Sequence, residues 1–101
     1  MRLRWTNGAR AELLDLVAYI SQERPAAARA LAKRIQSTMR ATLEFPYIGR
    51  VVPELEIANI RERIVSPYRI VYQVRRAEIV VLAVVHERRD FPETLGSSEE
   101  G

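Results

Sequence analysis

Seven consecutive apolar residues, Ile79 to Val85, restrict what this chain can become. The run is far shorter than the ~20 residues of a membrane span. It shows neither helical nor alternating periodicity, so it suits a strand covered on both faces or lying mid-sheet. At a sheet edge such a strand would invite aggregation, so it needs a neighbour on each side. One neighbour is its hairpin partner, residues 68–74. The other has to come from elsewhere, and only the N-terminus offers a candidate.

The flanking sequence reads as a three-strand meander. Arg61 to Val65 is followed by Ser66-Pro67, where proline fixes φ for a turn. Tyr68 to Val74 leads through Arg75-Arg76-Ala77 into Glu78 to His86. Alternate residues of a strand point to opposite faces. Tyr68, Ile70, Tyr72 and Val74 therefore share one face, and Arg69, Val71 and Gln73 the other. On the preceding strand, Ile64 lies on one side and Arg61 and Arg63 on the other.

Upstream, Arg2 to Thr6 alternates, which predicts a short strand with Leu3 and Trp5 buried. Thr6 or Asn7 is a suitable N-cap, since its side-chain oxygen can accept an orphan backbone N–H. Ala9, Leu13, Leu16, Val17 and Ile20 recur at helical spacing and predict a helix over 7–22. Pro25 fits the first turn of a second helix over 25–44, with Ala28, Leu31, Ala32, Ile35, Met39, Thr42 and Leu43 as its stripe. The short link between them implies an antiparallel helical hairpin. Phe45-Pro46 ends the second helix. A turn with a short extended piece follows over 47–53, then a loop over 54–59. The predicted fold is α+β: an N-terminal strand, an antiparallel helical hairpin, then a three-strand antiparallel meander. The helices cover one face of an antiparallel sheet ordered first strand, 78–86, 68–74, 61–65. Residues 1–95 are expected to form one domain, with 96–101 a polar tail.

Composition narrows function mainly by exclusion. The chain is 48% hydrophobic and 29% charged, as in ordinary folded soluble proteins. It has no cysteine and one histidine, so neither disulfides nor a conventional metal site is expected. No secretory signal or membrane span is expected, which points to the cytoplasm. The net charge of +3 is too small to make nucleic-acid binding the default. Fifteen of the sixteen basic residues are arginine, a bias that Arg-rich codon usage also produces. From Arg61 to Arg89, seven arginines against three glutamates give a surplus of four. The basic positions of the second helix, Arg29, Lys33 and Arg40, read as an ordinary solvated face.

There is no phosphate loop, histidine pair or nucleophile elbow. One constellation remains: Arg63 and Arg69 on adjacent strands, where they can share a face, with His86, Glu87 and Arg88 at the end of the last strand. Guanidiniums can hold a phosphate while a histidine exchanges protons, a sensible ribonuclease arrangement. The plainer reading is a strand-end histidine among arginines that solvate a sheet edge, and spacing alone favours it.

The ordered set of local sequences carries a resemblance. Trp5-Thr6 leads into Ala9 and Asp15-Leu16, followed by Pro25 with its alanines and Leu43-Glu44-Phe45-Pro46. Gly49-Arg50, Arg63, Pro67-Tyr68-Arg69-Ile70-Val71-Tyr72 and Val84-Val85-His86-Glu87-Arg88-Arg89 complete it. Over residues 2–92 the chain resembles the RelE/ParE superfamily of toxins from type II toxin–antitoxin (plasmid stabilisation) modules. That resemblance implies one of two activities. RelE-like members cut mRNA in the ribosomal A site, using basic residues and often a C-terminal tyrosine. ParE-like members share the fold, lack that residue set and inhibit DNA gyrase. Here Phe91 falls near the place where the tyrosine would be wanted, and phenylalanine moves no proton. The long helical hairpin and the Phe-Pro/Gly-Arg join look more like ParE.

The resemblance therefore implies a ParE-like toxin acting on gyrase by protein contact, with no catalytic residues and no cofactor. A cognate antitoxin neutralises it, and DNA is bound only through that antitoxin. Arg61, Arg63, Arg69, His86, Arg88 and Arg89 are the expected antitoxin- or target-binding residues. The alternatives are a ribosome-dependent mRNA endoribonuclease using Arg63, Arg69, His86 and Arg88, and an inactive remnant that binds antitoxin only.

Overall fold

The computed structural model describes residues 1–88 and Phe91. The elements run β1 (Arg2–Trp5), α1 (Asn7–Ser21), α2 (Pro25–Thr42), β2 (Arg50–Val51), β3 (Ile60–Val65), β4 (Tyr68–Val74) and β5 (Glu78–His86). The sheet order is β1-β5-β4-β3-β2. The apolar strand thus sits between β1 and β4, as its composition requires. The expected tail at 96–101 and the expected contact residue Arg89 lie outside the described residues.

Two features depart from the expected antiparallel sheet. The short extended piece expected within 47–53 forms at Arg50–Val51, and it joins the sheet as a fifth strand, β2, antiparallel to β3 at the edge. Second, β1 pairs with β5 in parallel, from Arg2 opposite Glu78 to Trp5 opposite Val81. The causes are linked. The chain runs out along the edge as β2 and back as β3, which adds one reversal of direction. That reversal turns β3, and with it β5, to run the way β1 runs.

The helices start and stop for local reasons. Thr6 caps α1, its Oγ1 accepting the Ala9 N–H at 3.0 Å. Pro25 stands in the first turn of α2, where its missing N–H has no consequence. Both helices end slightly earlier than the periodicity suggests, at Ser21 and Thr42, within the usual uncertainty of helix ends. Ala9 and Leu13 from α1, and Leu31, Ile35 and Met39 from α2, pack on Ile70, Tyr72, Val74, Ile79 and Val81 of the sheet. The other sheet face carries a second apolar cluster of Val52, Ile60, Val71, Val80, Leu82, Ala83 and Val85. Leu55 and Phe91 pack against it.

One irregularity decides where side chains of β5 point. Val71 pairs with Ala83 while Tyr72 pairs with Val81, so Leu82 is the extra residue of a β-bulge. Ile79 and Val81 face the helices before the bulge, and Val84 does so after it. Leu82 and Ala83, though consecutive, both join the second cluster.

Candidate functional site

The expected constellation is divided between the two faces of the sheet. The β3–β4 turn leaves only Ser66 and Pro67 between paired residues, so Val65 pairs with Tyr68 and Arg63 with Ile70. Arg69 is opposite Ile64 instead. Odd positions of β3 therefore share a face with even positions of β4, so the shared face that was open to Arg63 and Arg69 is not realised. Arg63 lies on the helix side, its Nη1 donating to Thr42 Oγ1 at 2.8 Å. Arg69 lies on the far side.

The bulge completes the division. In a regular β5, period-two alternation from Ile79 and Val81 would put His86 on the Arg69 face. The extra residue moves it to the helix side, where it pairs with Tyr68. The two rings meet edge to face at 5.4 Å between centroids. His86 Nδ1 accepts the Arg88 backbone N–H at 3.0 Å. Glu87 turns to Ser66, whose hydroxyl donates to its carboxylate at 2.8 Å.

Arg69 is the centre of a compact ion network. Only 6% exposed, it donates through Nε to Glu62 Oε1 at 2.7 Å. Its Nη1 and Nη2 engage Glu54 bidentately, at 2.9 and 2.7 Å. Glu62 also pairs with Arg50. The Phe91 ring covers the guanidinium at 5.0 Å. The Arg69 hydrogen bonds hold the Glu54 carboxyl down at about 2, against a smaller opposing effect of desolvation. Glu54 in turn pushes Arg69 further from deprotonation. All three guanidinium nitrogens are thus engaged by two carboxylates, and a phosphate would have to displace them. Glu54, Glu62, Arg50 and Phe91 were missed as partners from sequence. The one legible signal was parity, since Glu62 and Arg69 fall on one face once the two-residue turn fixes the register.

A second network lies across the sheet, under the loop after α2. Tyr72, fully buried, donates its hydroxyl to Pro46 O at 2.7 Å and accepts the Gly49 N–H at 3.0 Å. Burial pushes its phenol pKa up. Arg61 donates to Ala58 O, Tyr47 O and Gly49 O, and its guanidinium stands 4.8 Å from the centre of the Tyr47 ring. Arg61 therefore holds a loop. Gly49 is required by close approach: a Cβ there would stand 2.5 Å from Glu62 O and 2.6 Å from the Tyr72 hydroxyl.

Of the expected set, Arg61, Arg63 and His86 are partly exposed and Arg88 is exposed, with Arg61 already engaged by the loop. Among the described residues no cluster of His, Cys, Asp or Glu could hold a metal ion. No helix there is long and apolar enough to cross a membrane.

Comparison with known proteins agrees with this architecture. Residues 3–91 match the family described as ParE toxin of type II toxin-antitoxin system, parDE. The Sinorhizobium fredii protein Y4kP is 33% identical over 96 residues, covering 93% of this chain and 96% of its own. Toxin RelE2 of Caulobacter vibrioides is 34% identical over 86 residues, covering 84% and 93%. A solved chain of the chromosomal ParDE toxin–antitoxin system from P. aeruginosa superposes with a TM-score of 0.71 at 21% identity. It covers 85% of this chain and 95% of the other.

Proposed function

This chain belongs to the ParE toxin family of type II toxin–antitoxin systems, and from that premise we propose that it arrests growth by contacting DNA gyrase, without cutting RNA, until a cognate antitoxin neutralises it. The observation that carries this reading is the separation of Arg69 from His86. RNA cleavage through a 2′-hydroxyl needs proton-transfer groups and cations around one phosphate. Here the buried cation is engaged by Glu62 and Glu54 on one face, and the histidine stands on the other. Where a proton-moving tyrosine would be wanted, the Phe91 ring stacks on Arg69. Arg69 is then an internal strut, and Arg63, His86 and Arg88 form the rim proposed to meet the target, with Arg89 beyond them in sequence. The toxin domain on this reading spans residues 1–95 and acts in the cytoplasm.

The test is induction of wild type and His86→Ala in cells, with mRNA primer extension and gyrase-linked DNA breaks scored together. Breaks without codon-phased mRNA cuts are expected from wild type. Codon-phased cuts that vanish in His86→Ala would replace this reading with a ribosome-dependent endoribonuclease. Neither breaks nor cuts, with antitoxin binding intact, would make the protein an inactive antitoxin-binding remnant.

A further inference from the structure

The sheet arginines, concentrated in the sequence, are largely compensated in the fold. Arg2, Arg4 and Arg75 gather around Glu78. Arg50 and Arg69 share Glu62, and Arg69 also holds Glu54. Arg61 and Arg63 are committed to loop carbonyls and to Thr42. Helix α2 is different. It carries Arg29, Lys33, Arg34 and Arg40 and no carboxylate. Among the described residues, none of these four side chains makes an ion pair or a hydrogen bond.

Three of the four form a row. At 3.6 residues per turn, Arg29, Lys33 and Arg40 fall within about 40° of one another and span roughly 16 Å of helix. Their row lies opposite the stripe of Ala28, Leu31, Ile35 and Met39 that faces the sheet. A depression of about 460 Å³ lined by Lys33, Gln36, Ser37, Arg40, Ala41 and Glu44 lies on this outer face.

The loop that follows α2 adds apolar surface. Phe45, Tyr47 and Ile48 are 66, 53 and 58% exposed. Their backbone is fixed from below by Tyr72 at Pro46 and Gly49, and from the side by Arg61 at Tyr47 and Gly49. Phe45 and Ile48, with the part of the Tyr47 ring that Arg61 does not cover, are thus left in water on a backbone already ordered. Such residues anchor interfaces, because little further freedom is lost when a partner covers them.

We infer that the outer face of α2, continued by Phe45, Tyr47 and Ile48, is the docking surface for an acidic, amphipathic protein segment. An unpaired row of cations calls for carboxylates, and the adjoining apolar loop calls for apolar side chains on the same segment. A second copy of this chain would bring the same cations face to face. Nucleic acid would use the cations but leave the aliphatic Ile48 unmatched. Resting on the toxin reading above, the occupant is the neutralising segment of the cognate antitoxin, and it leaves the Arg63–His86–Arg88 rim to the target.

The experiment compares binding of the purified cognate antitoxin to wild type, to a reversal variant (Arg29→Glu, Lys33→Glu, Arg40→Glu) and to Phe45→Ser with Ile48→Ser. Thermal melts accompany each, and all these positions are exposed. At low salt the reversal variant should associate at least tenfold more slowly and lose most of its salt dependence, and the loop variant should dissociate at least tenfold faster. As a check independent of substitution damage, a benzoylphenylalanine photocrosslinker placed at Gln36 should capture the antitoxin. Wild-type kinetics in both variants, or no capture at Gln36 from a complex that forms normally, would overturn the assignment. So would duplex DNA binding by free toxin that the reversal abolishes while antitoxin binding is unchanged. If wild type itself binds no antitoxin, the toxin reading fails, and the inference resting on it fails for that separate reason.

Discussion

The Glu12 carboxylate on α1 accepts the backbone N–H of Val84 at 2.9 Å, joining the helical hairpin to the central strand. Strand β1 pairs with β5 only as far as Val81, so among the described residues the edge beyond it has no strand partner on that side. Glu12 supplies the acceptor two residues after the bulge. Desolvation raises its pKa, partly offset by the Val84 hydrogen bond.

Glu12→Ala should destabilise the fold by about 1–3 kcal/mol, the usual consequence of leaving a buried backbone donor unpaired. Glu12→Gln keeps an acceptor and removes the charge, so it should match or exceed wild type at pH 7. The sign follows from the raised pKa. The acid form is favoured in the fold, so its stabilisation is complete at low pH and is lost as pH rises through the folded-state value. Denaturant melts at pH 4 and 7 should therefore show Gln gaining on Glu as pH rises. A Gln variant no more stable than Ala would show that the Val84 contact contributes nothing.

Arg69→Ala removes the central cation from between Glu62 and Glu54 and leaves Glu62, 1% exposed, with Arg50 as its remaining partner. Breaking a buried pair from one side costs about 3–5 kcal/mol, enough to unfold many domains of this size. Urea melts of the purified variant measure it. A shift below about 1 kcal/mol would mean that Arg69 is held for a ligand and not for the fold.

Glu54 titrates at about 2, well below an ordinary glutamate, because of its hydrogen bonds to Arg69. For a depressed carboxyl, the stabilisation is present above the unfolded value and is lost as pH falls through the folded one. The difference between wild type and Glu54→Gln should be constant from pH 7 to about 5, then shrink towards pH 2. Chemical melts across that range read it directly. A gap that stays flat to pH 2 would contradict the Arg69 contact.

Gly49→Ala forces a methyl into the Glu62 carbonyl and the Tyr72 hydroxyl, where the backbone carbonyl cannot yield cheaply. A loss of about 1–3 kcal/mol is expected, typical of overpacking. Tyr72→Phe should cost a similar amount by leaving the Gly49 N–H without its acceptor. Because both act on the same contact, the double variant should be less destabilised than the sum of the two singles. Strict additivity in thermal melts would place their effects at separate points.

Much of the fold was legible in local sequence. Helical spacing in Ala9–Leu13 and Leu31–Ile35–Met39 marked the faces that pack on the sheet. Thr6 and Pro25 marked helix starts, and the apolar run Ile79–Val85 required a central strand with β1 beside it. Each of these signals is carried by residues near one another in the chain. Periodicity and capping are local properties, so the sequence alone determined them.

The candidate site was legible only in part, because it depends on parity: the turn at Ser66-Pro67 could be read locally, and the bulge in β5 could not. Which arginines meet turns on whether an even or odd number of residues lies between paired positions. The two-residue turn at Ser66-Pro67 sends Arg63 and Arg69 to opposite faces. The single extra residue at Leu82 then carries His86 away from Arg69. Likewise, the two-residue edge strand β2 sets β1 parallel to β5. The pairing of Arg69 with Glu62 and Glu54 is also decided across strands and loops. A strand's side chains alternate with period two, so one inserted residue reverses every orientation that follows. Only the tertiary pairing fixes where that insertion falls.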